Sequence, residues 1–176
     1  MGDYRGICIS GDAGSGKTTA ARGLLERLPG WQRVSTGGRF RNYCAERGLD
    51  PQQIFALPDE LHRQFDREMS AYLRDSERFV SEGRLVCYLA RELDDVLRVW
   101  CECPLAVRAE RVAGREAQPP EVAQAQLAER DRGDLRKFRR LYGVDYHDPA
   151  FYDLVVDTVA LDQEGVVQAI LTALGA

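Results

Sequence analysis

The stretch GDAGSGKTT, Gly11 to Thr19, decides the fold, because it lies between an apolar run and a segment with helical periodicity. Residues 6–10 (GICIS) precede it and residues 20–28 (AARGLLERL) follow it. The stretch satisfies the pattern G-x-x-x-x-G-K-[ST], in which backbone N–H groups surround the phosphates of a nucleotide. The pattern requires a strand before it and a helix after it, and the helix dipole adds positive potential at the phosphates. We therefore predict a nucleotide-binding P-loop.

The pattern also predicts what each residue of the loop does. Lys17 is expected to reach the outer phosphates as a catalytic residue, and the Thr18 hydroxyl is expected to bind Mg²⁺. Asp12 and Ala13 are expected to contribute mainly through their backbone atoms. The predicted ATP-binding residues are Gly11, Asp12, Ala13, Gly14, Ser15, Gly16, Lys17, Thr18 and Thr19.

Apolar runs alternate along the chain with longer helical segments, which is typical of an α/β fold with a parallel sheet. Five strands are predicted, near residues 5–10, 32–36, 78–82, 96–103 and 152–158. Helices are predicted after the loop to about Leu28, from Thr36 to Gly48, over 59–74, from Pro104, and from about Glu121 with an interruption at Gly133. The last two helices would meet at an exposed tip. No linker or repeat divides the chain, so residues 1–176 are interpreted as a single domain.

Composition excludes several classes of protein. The net charge of -4 argues against a general nucleic-acid binder, although residues 105–140 carry nine basic and six acidic residues and suit an anionic ligand. No apolar stretch approaches the ~18 residues of a membrane span. The five cysteines stand in mostly apolar contexts without a C-x-x-C pair, so we expect buried, reduced thiols and a cytoplasmic location. Both His62 and His147 lie in polar contexts and are expected on the surface.

A phosphate loop leaves three possible functions: transfer to a small acceptor, hydrolysis coupled to a conformational change, or binding alone. A switch GTPase would also show a strand ending in an aspartate for Mg²⁺ and the guanine-binding pattern N-K-x-D. Neither occurs, and the strand that contains RFVSEG ends in Glu82. Transfer to an acceptor is therefore favoured.

The segment STGGRFR, residues 35–41, offers an anion-binding site for that acceptor. It combines small hydroxylated residues, two glycines and a helix start with Arg39 and Arg41. These donors suit a phosphate or another anionic group.

Several segments together resemble the cytidylate kinases, most closely their short archaeal-type branch. They are ISGDAGSGKTT, STGGRFR, SEGRL, VRAERVAGRE, ERDRGDLRKFRRLYGVD and YDLVVDT, and their order and spacing cover almost the whole chain. The resemblance implies a P-loop nucleoside monophosphate kinase fold: a five-stranded parallel sheet flanked by helices, with a helical lid. It places the acceptor-binding helices at about 37–75 and the lid at about 111–132.

The resemblance also implies roles for individual residues. Lid arginines Arg111 and Arg115 would act with Lys17 on the transferred group. The acceptor nucleotide would be bound by Thr36, Gly37, Arg41, Arg84, Arg130, Asp134 and Lys137. Arg130, Asp134 and Lys137 are also spaced to share one helix face, with Asp134 bonding a sugar hydroxyl. Lys137 replaces an arginine of the family, and Leu85 follows Arg84 where the longer bacterial branch carries an aspartate that reads cytosine.

The function implied is transfer of the γ-phosphoryl group of Mg·ATP to the 5′-phosphate of CMP or dCMP by a cytoplasmic monomer, with small-molecule nucleotides as its partners. Two alternatives remain open on the residues alone. The first is a related kinase for another small acceptor, such as a different nucleoside monophosphate, a coenzyme precursor or shikimate. The second is a nucleotide-dependent switch.

Overall fold

Five parallel strands form one sheet, in the order β2-β3-β1-β4-β5. The strands are β1 (Gly6–Ser10), β2 (Gln32–Ser35), β3 (Phe79–Glu82), β4 (Val96–Glu102) and β5 (Leu154–Asp157). The computed structural model describes residues 4–50 and 57–175. The five predicted strands and the parallel arrangement are confirmed. Ser35 pairs with Glu82 and Ser10 with Trp100, so the carboxyl ends of the central strands meet at one edge of the sheet.

Seven helices flank the sheet within the described ranges. They are α1 (Lys17–Arg27), α2 (Thr36–Ala45), α3 (Asp59–Asp75), α4 (Val86–Leu89), α5 (Leu105–Glu116), α6 (Pro120–Tyr142) and α7 (Gln163–Leu174). The prediction of an interruption at Gly133 is wrong, because α6 continues through it. A single helical glycine costs about 1 kcal/mol, which the packing of the neighbouring turns offsets. Residues 51–56 of the predicted acceptor-binding region lie outside the described residues.

The sheet separates two apolar layers, and β1 contributes to both. Ile7 and Ile9 pack with α1 and α7 on one face. Cys8 packs on the other face with side chains of α2, α3, α4 and α6. This alternation follows from the strand geometry, which points successive side chains to opposite faces. The P-loop therefore leaves a strand that is buried on both faces, which fixes the position of the loop.

Helices α5 and α6 form a hairpin with a small apolar core of its own. Ala109 and Val112 of α5 pack against Ala123 and Leu127 of α6, and Ala13 of the P-loop packs against the same cluster. The predicted arrangement of two helices meeting at an exposed tip is confirmed. This hairpin places the basic segment beside the phosphate-binding loop.

All five cysteines are free and buried, as predicted. Burial raises the pKa of both Cys87 and Cys101 to about 12, so these thiols remain protonated at neutral pH. None of the helices in the described ranges combines the length and hydrophobicity of a bilayer span.

Candidate active site

The P-loop joins the end of β1 to the start of α1. Gly11 has a φ of +154°, and a Cβ atom there would lie 2.8 Å from the carbonyl oxygen of Cys101, so only glycine fits. Lys17 Nζ donates a hydrogen bond to the backbone oxygen of Asp12 over 2.6 Å. Burial, followed by the charge of Arg84, lowers the pKa of Lys17 to about 8. A phosphate beside this ammonium group would stabilise its charged form.

A hydroxyl and a carboxylate meet at the base of the loop. The Thr18 hydroxyl donates to Glu82 Oε2 over 2.5 Å, and Glu82, only 5% exposed, also accepts from Arg33 through Oε1. Mg²⁺ prefers hard oxygen ligands and usually keeps several waters and substrate phosphate oxygens in its shell. Thr18 and Glu82 fit this ion, because they present two such oxygens next to the predicted phosphate site.

A cleft of about 510 Å³ opens between the P-loop and the α2, α3 and α6 helices. It brings together all seven residues predicted to bind the acceptor with the loop residues Lys17 and Thr18. Its lining includes Ala13, Lys17, Thr18, Thr36, Gly37, Arg41, Glu82, Arg84, Arg130, Asp134 and Lys137. Donor-side and acceptor-side groups therefore share one cavity.

The turn after β3 packs closely against the start of α2. A Cβ atom on Gly83 would lie 2.8 Å from Thr36 Cβ, so a larger residue would push Thr36 out of place. Thr36 Oγ1 is buried and has no hydrogen-bond partner among the residues that the structure describes. A buried hydroxyl without a partner is costly, and a polar ligand in the cleft would relieve that cost.

Ion pairs hold the cationic wall of the cleft in place. Arg84 Nη1 lies 2.9 Å from both Asp131 and Asp134, and Lys137 Nζ lies 2.8 Å from Asp134. Asp134 and Lys137 are each only 5% exposed. Since Arg130, Asp134 and Lys137 all line the cleft, the prediction that they share a helix face is confirmed.

Arg108 is a member of this network that the sequence analysis missed. Its side chain is 5% exposed, pairs with Asp131 at 2.8 Å, and donates to the backbone oxygens of Cys103 and Ala13. It thereby ties α5 to the P-loop. Arg108 lies three residues before Arg111, one turn away on the same basic helix. This spacing could have indicated that both arginines face the P-loop.

The Asp12 side chain has a larger role than predicted. Tyr146 donates its hydroxyl to Asp12 Oδ1 at 2.8 Å, and His147 Nε2 lies 3.3 Å from Oδ2. Burial by itself would raise the pKa of Asp12, but the His147 and Tyr146 hydrogen bonds and the Arg84 charge lower it to about 2. The expectation that Asp12 acts mainly through its backbone is wrong, because its carboxylate anchors the loop. His147 is exposed, as predicted, and it contacts that loop.

Aromatic and apolar side chains line the wall of the cleft that α2 and α3 form. His62 stacks on Phe40, with ring centroids 5.8 Å apart and planes inclined by 7°, and Phe65 packs edge-on to Phe40. The prediction that His62 lies on the surface is wrong, because only 5% of it is exposed. Its spacing from Phe65, Met69 and Leu73 places it on the apolar face of α3. Such flat walls suit a nucleotide base.

A second hollow, of about 200 Å³, lies on the α1 and α7 side of the P-loop. Gly16, Thr158, Leu161 and Val166 are among the residues that line it, together with Arg111. Arg111 Nη1 donates to Thr158 Oγ1 at 3.0 Å. This hollow includes Thr158, Leu161 and Asp162, which follow β5 at the carboxyl edge of the sheet, where ligand clefts form.

Two arginines lie away from the cleft. Arg115 is exposed at the end of α5 and pairs with the adjacent Glu116 at 2.8 Å. Arg39 stacks over the Tyr72 ring, with its guanidinium carbon 3.7 Å from the ring centroid, whereas Arg41 lines the cleft. Of the two arginines in the STGGRFR segment, the structure therefore places Arg41 and not Arg39 in the cavity.

A protein-family model described as the cytidylate kinase-like family matches residues 52–160. The chain belongs to the cytidylate kinase-like family. A cytidylate kinase of Natronomonas pharaonis is 38% identical over 97% of this chain and 89% of its own length. A cytidylate kinase of Haloarcula marismortui is also 38% identical, over 95% of this chain and 88% of its own length. These relatives confirm the resemblance to archaeal cytidylate kinases and identify the chain as a nucleoside monophosphate kinase.

The fold is also found in more distant P-loop kinases. The shikimate kinase of Acinetobacter baumannii, solved in complex with shikimate, superposes with a TM-score of 0.64 over 98% of this chain and 93% of its own. Only 19% of the residues are identical, so this likeness shows the fold alone. It confirms the predicted P-loop kinase architecture for this member of the cytidylate kinase-like family.

Proposed function

We propose that the protein transfers the γ-phosphoryl group of Mg·ATP to the 5′-phosphate of CMP or dCMP, giving ADP and CDP or dCDP. The observation that carries the proposal is the shared cavity. Lys17 and Thr18 of the P-loop line the same cleft as Arg41, Arg84 and Arg130. Two bound nucleotides would therefore meet end to end, phosphate against phosphate. The membership of the cytidylate kinase-like family supports CMP as the acceptor.

On the donor side, the loop from Gly11 to Thr19 would bind the ATP phosphates, and the hollow near Thr158 and Leu161 would take the adenine. Mg²⁺ would be held by the Thr18 hydroxyl, with the Glu82 carboxylate beside it. The ion would neutralise charge on the phosphates during transfer. Lys17 would leave the Asp12 carbonyl and contact the outer phosphate oxygens.

On the acceptor side, Arg41, Arg84 and Arg130 would bind the CMP phosphate, since arginine can bind a phosphate through two parallel hydrogen bonds. Thr36 would offer its buried hydroxyl to the base, and Asp134 would accept from the sugar hydroxyl. Arg84 is neutralised by Asp131 and Asp134 in the structure. An entering phosphate would therefore compete with these carboxylates for the same guanidinium group.

The reaction needs positioning and charge stabilisation rather than a general base, because the attacking phosphate oxygen is already anionic. Lys17, Arg111 and Arg115 would offset the negative charge on the transferred group. Arg111 already lies at the loop, 4.0 Å from where a Cβ on Gly16 would be. Arg115 would reach the phosphates only after the lid, about residues 111–132, moves toward the loop. Such closure would also exclude water and limit ATP hydrolysis.

We also propose that the enzyme acts as a monomer in the cytoplasm. A reducing compartment fits five free cysteines. A single domain from 1 to 176 would contain both nucleotide sites, so no second subunit is required.

The test is ADP release from Mg·ATP with a panel of acceptors: CMP, dCMP, UMP, AMP, GMP, shikimate and dephospho-coenzyme A. We expect CMP or dCMP to give the highest kcat/KM. Preference for shikimate, a purine nucleotide or the coenzyme precursor would overturn the proposed acceptor while leaving the donor site intact. Nucleotide-dependent conformational change without transfer to any acceptor would favour the switch.

A further inference from the structure

One carboxylate of the acceptor cleft is not used by the proposed reaction. Asp66 lies on α3 and lines the same cavity as Lys17, Thr36 and Arg84. Tyr142 of α6 donates its hydroxyl to Asp66 Oδ2. Within residues 4–50 and 57–175, Oδ1 has no hydrogen-bond partner. Asp66 therefore has one anchored oxygen and one that is available to a ligand.

The other carboxylates of the cleft, Glu82 and Asp134, have protein partners on both oxygens, and the proposed reaction already assigns them to Mg²⁺ and to the sugar. Glu82 accepts from Arg33 through Oε1 and from Thr18 through Oε2. Asp134 contacts Lys137 through Oδ1 and Arg84 through Oδ2. Among the described residues of the cleft, Asp66 is thus the carboxylate that keeps an oxygen without a partner.

The surroundings of Asp66 suit a base and not a phosphate. Phe40, His62, Phe65, Leu89 and Phe138 line the cleft with it. The predicted phosphate-binding arginines come from the start of α2, the turn after β3 and α6, and a carboxylate would repel a phosphate placed next to it. Burial raises the pKa of Asp66 to about 6, against the effects of Tyr142 and Lys137, so a donor from the ligand would favour the charged form.

Cytosine and uracil differ in the group that such a carboxylate would meet. Cytosine carries an exocyclic amino group, which donates hydrogen bonds, whereas uracil carries an oxygen at the same position, which only accepts. A carboxylate therefore attracts the first and repels the second. We propose that Asp66 accepts a hydrogen bond from the cytosine amino group through Oδ1 and so selects CMP and dCMP over UMP. This inference rests on the proposed function, and it identifies the residue that reads the base.

Tyr142 acts as a positioning residue in this arrangement. Its hydroxyl fixes Oδ2 and thereby orients Oδ1, while its ring packs near Tyr88, with centroids 5.6 Å apart. Removal of the hydroxyl leaves the carboxylate in the cleft but with more rotational freedom. Tyr142→Phe should therefore weaken base selection less than a change of Asp66 itself.

The experiment compares kcat/KM for CMP and UMP in the wild type, Asp66→Asn and Tyr142→Phe, at saturating Mg·ATP. The asparagine amide can turn its NH₂ toward the uracil oxygen, so we expect the CMP-to-UMP ratio to fall by about tenfold or more. In this variant kcat/KM should fall for CMP and dCMP and stay the same or rise for UMP, while the KM of ATP should change little. Tyr142→Phe should reduce the ratio by a smaller factor.

Equal losses for CMP and UMP in Asp66→Asn, or an unchanged ratio, would overturn the inference and leave Asp66 as a structural partner of Tyr142. A wild type that uses both pyrimidines equally would overturn it as well, with the kinase assignment intact. A wild type that phosphorylates neither would instead refute the proposed function. Circular dichroism checks that each variant folds. If Asp66→Asn does not fold, kcat/KM for CMP and UMP is compared in Asp66→Ser instead, and the same outcomes decide.

Discussion

Tyr146 donates its hydroxyl to Asp12 Oδ1 over 2.8 Å, which joins two residues 134 positions apart in the chain. His147, the next residue, lies 3.3 Å from the other oxygen of the same carboxylate. Tyr146 is fully buried and packs against Trp100 and Phe138. The position of the phosphate-binding loop therefore depends on a segment that follows helix α6.

The His147–Asp12 contact predicts a pH-dependent part of the stability. The Asp12 hydrogen bond is the main cause that raises the pKa of His147 above 6.5. A raised pKa in the folded state means that the stabilisation is complete below about pH 6.5 and is lost as the pH rises through the folded value. We expect the Tm difference between the wild type and His147→Gln to be larger at about pH 6 than at about pH 9. Calorimetry at the two pH values measures it.

The control for this prediction is the same comparison in an Asp12→Asn background. His147 Nδ1 also lies 3.1 Å from Asp145 Oδ1, so a smaller pH dependence should remain. If the pH dependence is as large without the Asp12 carboxylate, the contact between His147 and the P-loop does not contribute to stability.

Arg41 and Arg39 offer a matched pair on one helix. Both are exposed arginines of α2, but Arg41 lines the cleft and Arg39 stacks on Tyr72. Arg41→Ala should lower kcat/KM for CMP by about tenfold or more, because a charged hydrogen bond contributes ~1.5–3 kcal/mol. Arg39→Ala should leave it nearly unchanged. Similar kinetics for the two variants would contradict the placement of the acceptor phosphate.

Asp134 is predicted to read the sugar. Asp134→Ala should reduce kcat/KM for CMP more than for dCMP, because only CMP carries the 2′-hydroxyl that the carboxylate would accept from. The matched control is Asp131→Ala, which removes another carboxylate from Arg84 but does not line the cleft. Its effect should be equal for the two acceptors. If Asp134→Ala also lowers kcat/KM equally for CMP and dCMP, Asp134 does not bind the sugar and only holds Arg84 and Lys137 in place.

Lys17 is expected to be essential for transfer. Lys17→Ala should lower kcat by at least about 10²-fold, the size found for the loss of one transition-state donor. Within the described residues, the hydrogen bond of the Lys17 ammonium group goes to the Asp12 carbonyl alone, so folding should be unaffected, which circular dichroism can check. Arg22→Ala, an exposed position on α1, serves as control. Turnover at the wild-type level in Lys17→Ala would refute the assignment.

The sheet and the P-loop were predictable because their signals are local. Buried parallel strands appear as short apolar runs, as in GICIS, where all five residues are buried. The P-loop pattern requires a strand before it and a helix after it, so β1 and α1 could be predicted directly from it. The helix α7 also had a signal that was not used: Asp162 accepts from the Gly165 N–H as an N-cap before the periodic run VVQAILTAL.

The errors arose where a distant contact outweighs a local pattern. Gly133 predicted an interruption, yet it is buried in a continuous α6. Asp12 looked like a replaceable loop residue, because its partners Tyr146 and His147 come from a segment near the other end of the sequence. The spacing of apolar residues also does not predict ion pairs between helices, such as the pair of Arg108 and Asp131. A search for apolar spacing in α3 would have placed His62 correctly.

Because all five thiols are buried, their reaction with an alkylating reagent would measure transient unfolding of the protein. Alkylating reagents are attacked by thiolates and not by thiols, and the raised pKa of Cys87 and Cys101 suppresses the thiolate form even at alkaline pH. Alkylation should therefore proceed only through molecules that have transiently unfolded. Cys8 and Cys101 lie on opposite sides of the central sheet, so mass mapping of the modified residues would show which layer separates first.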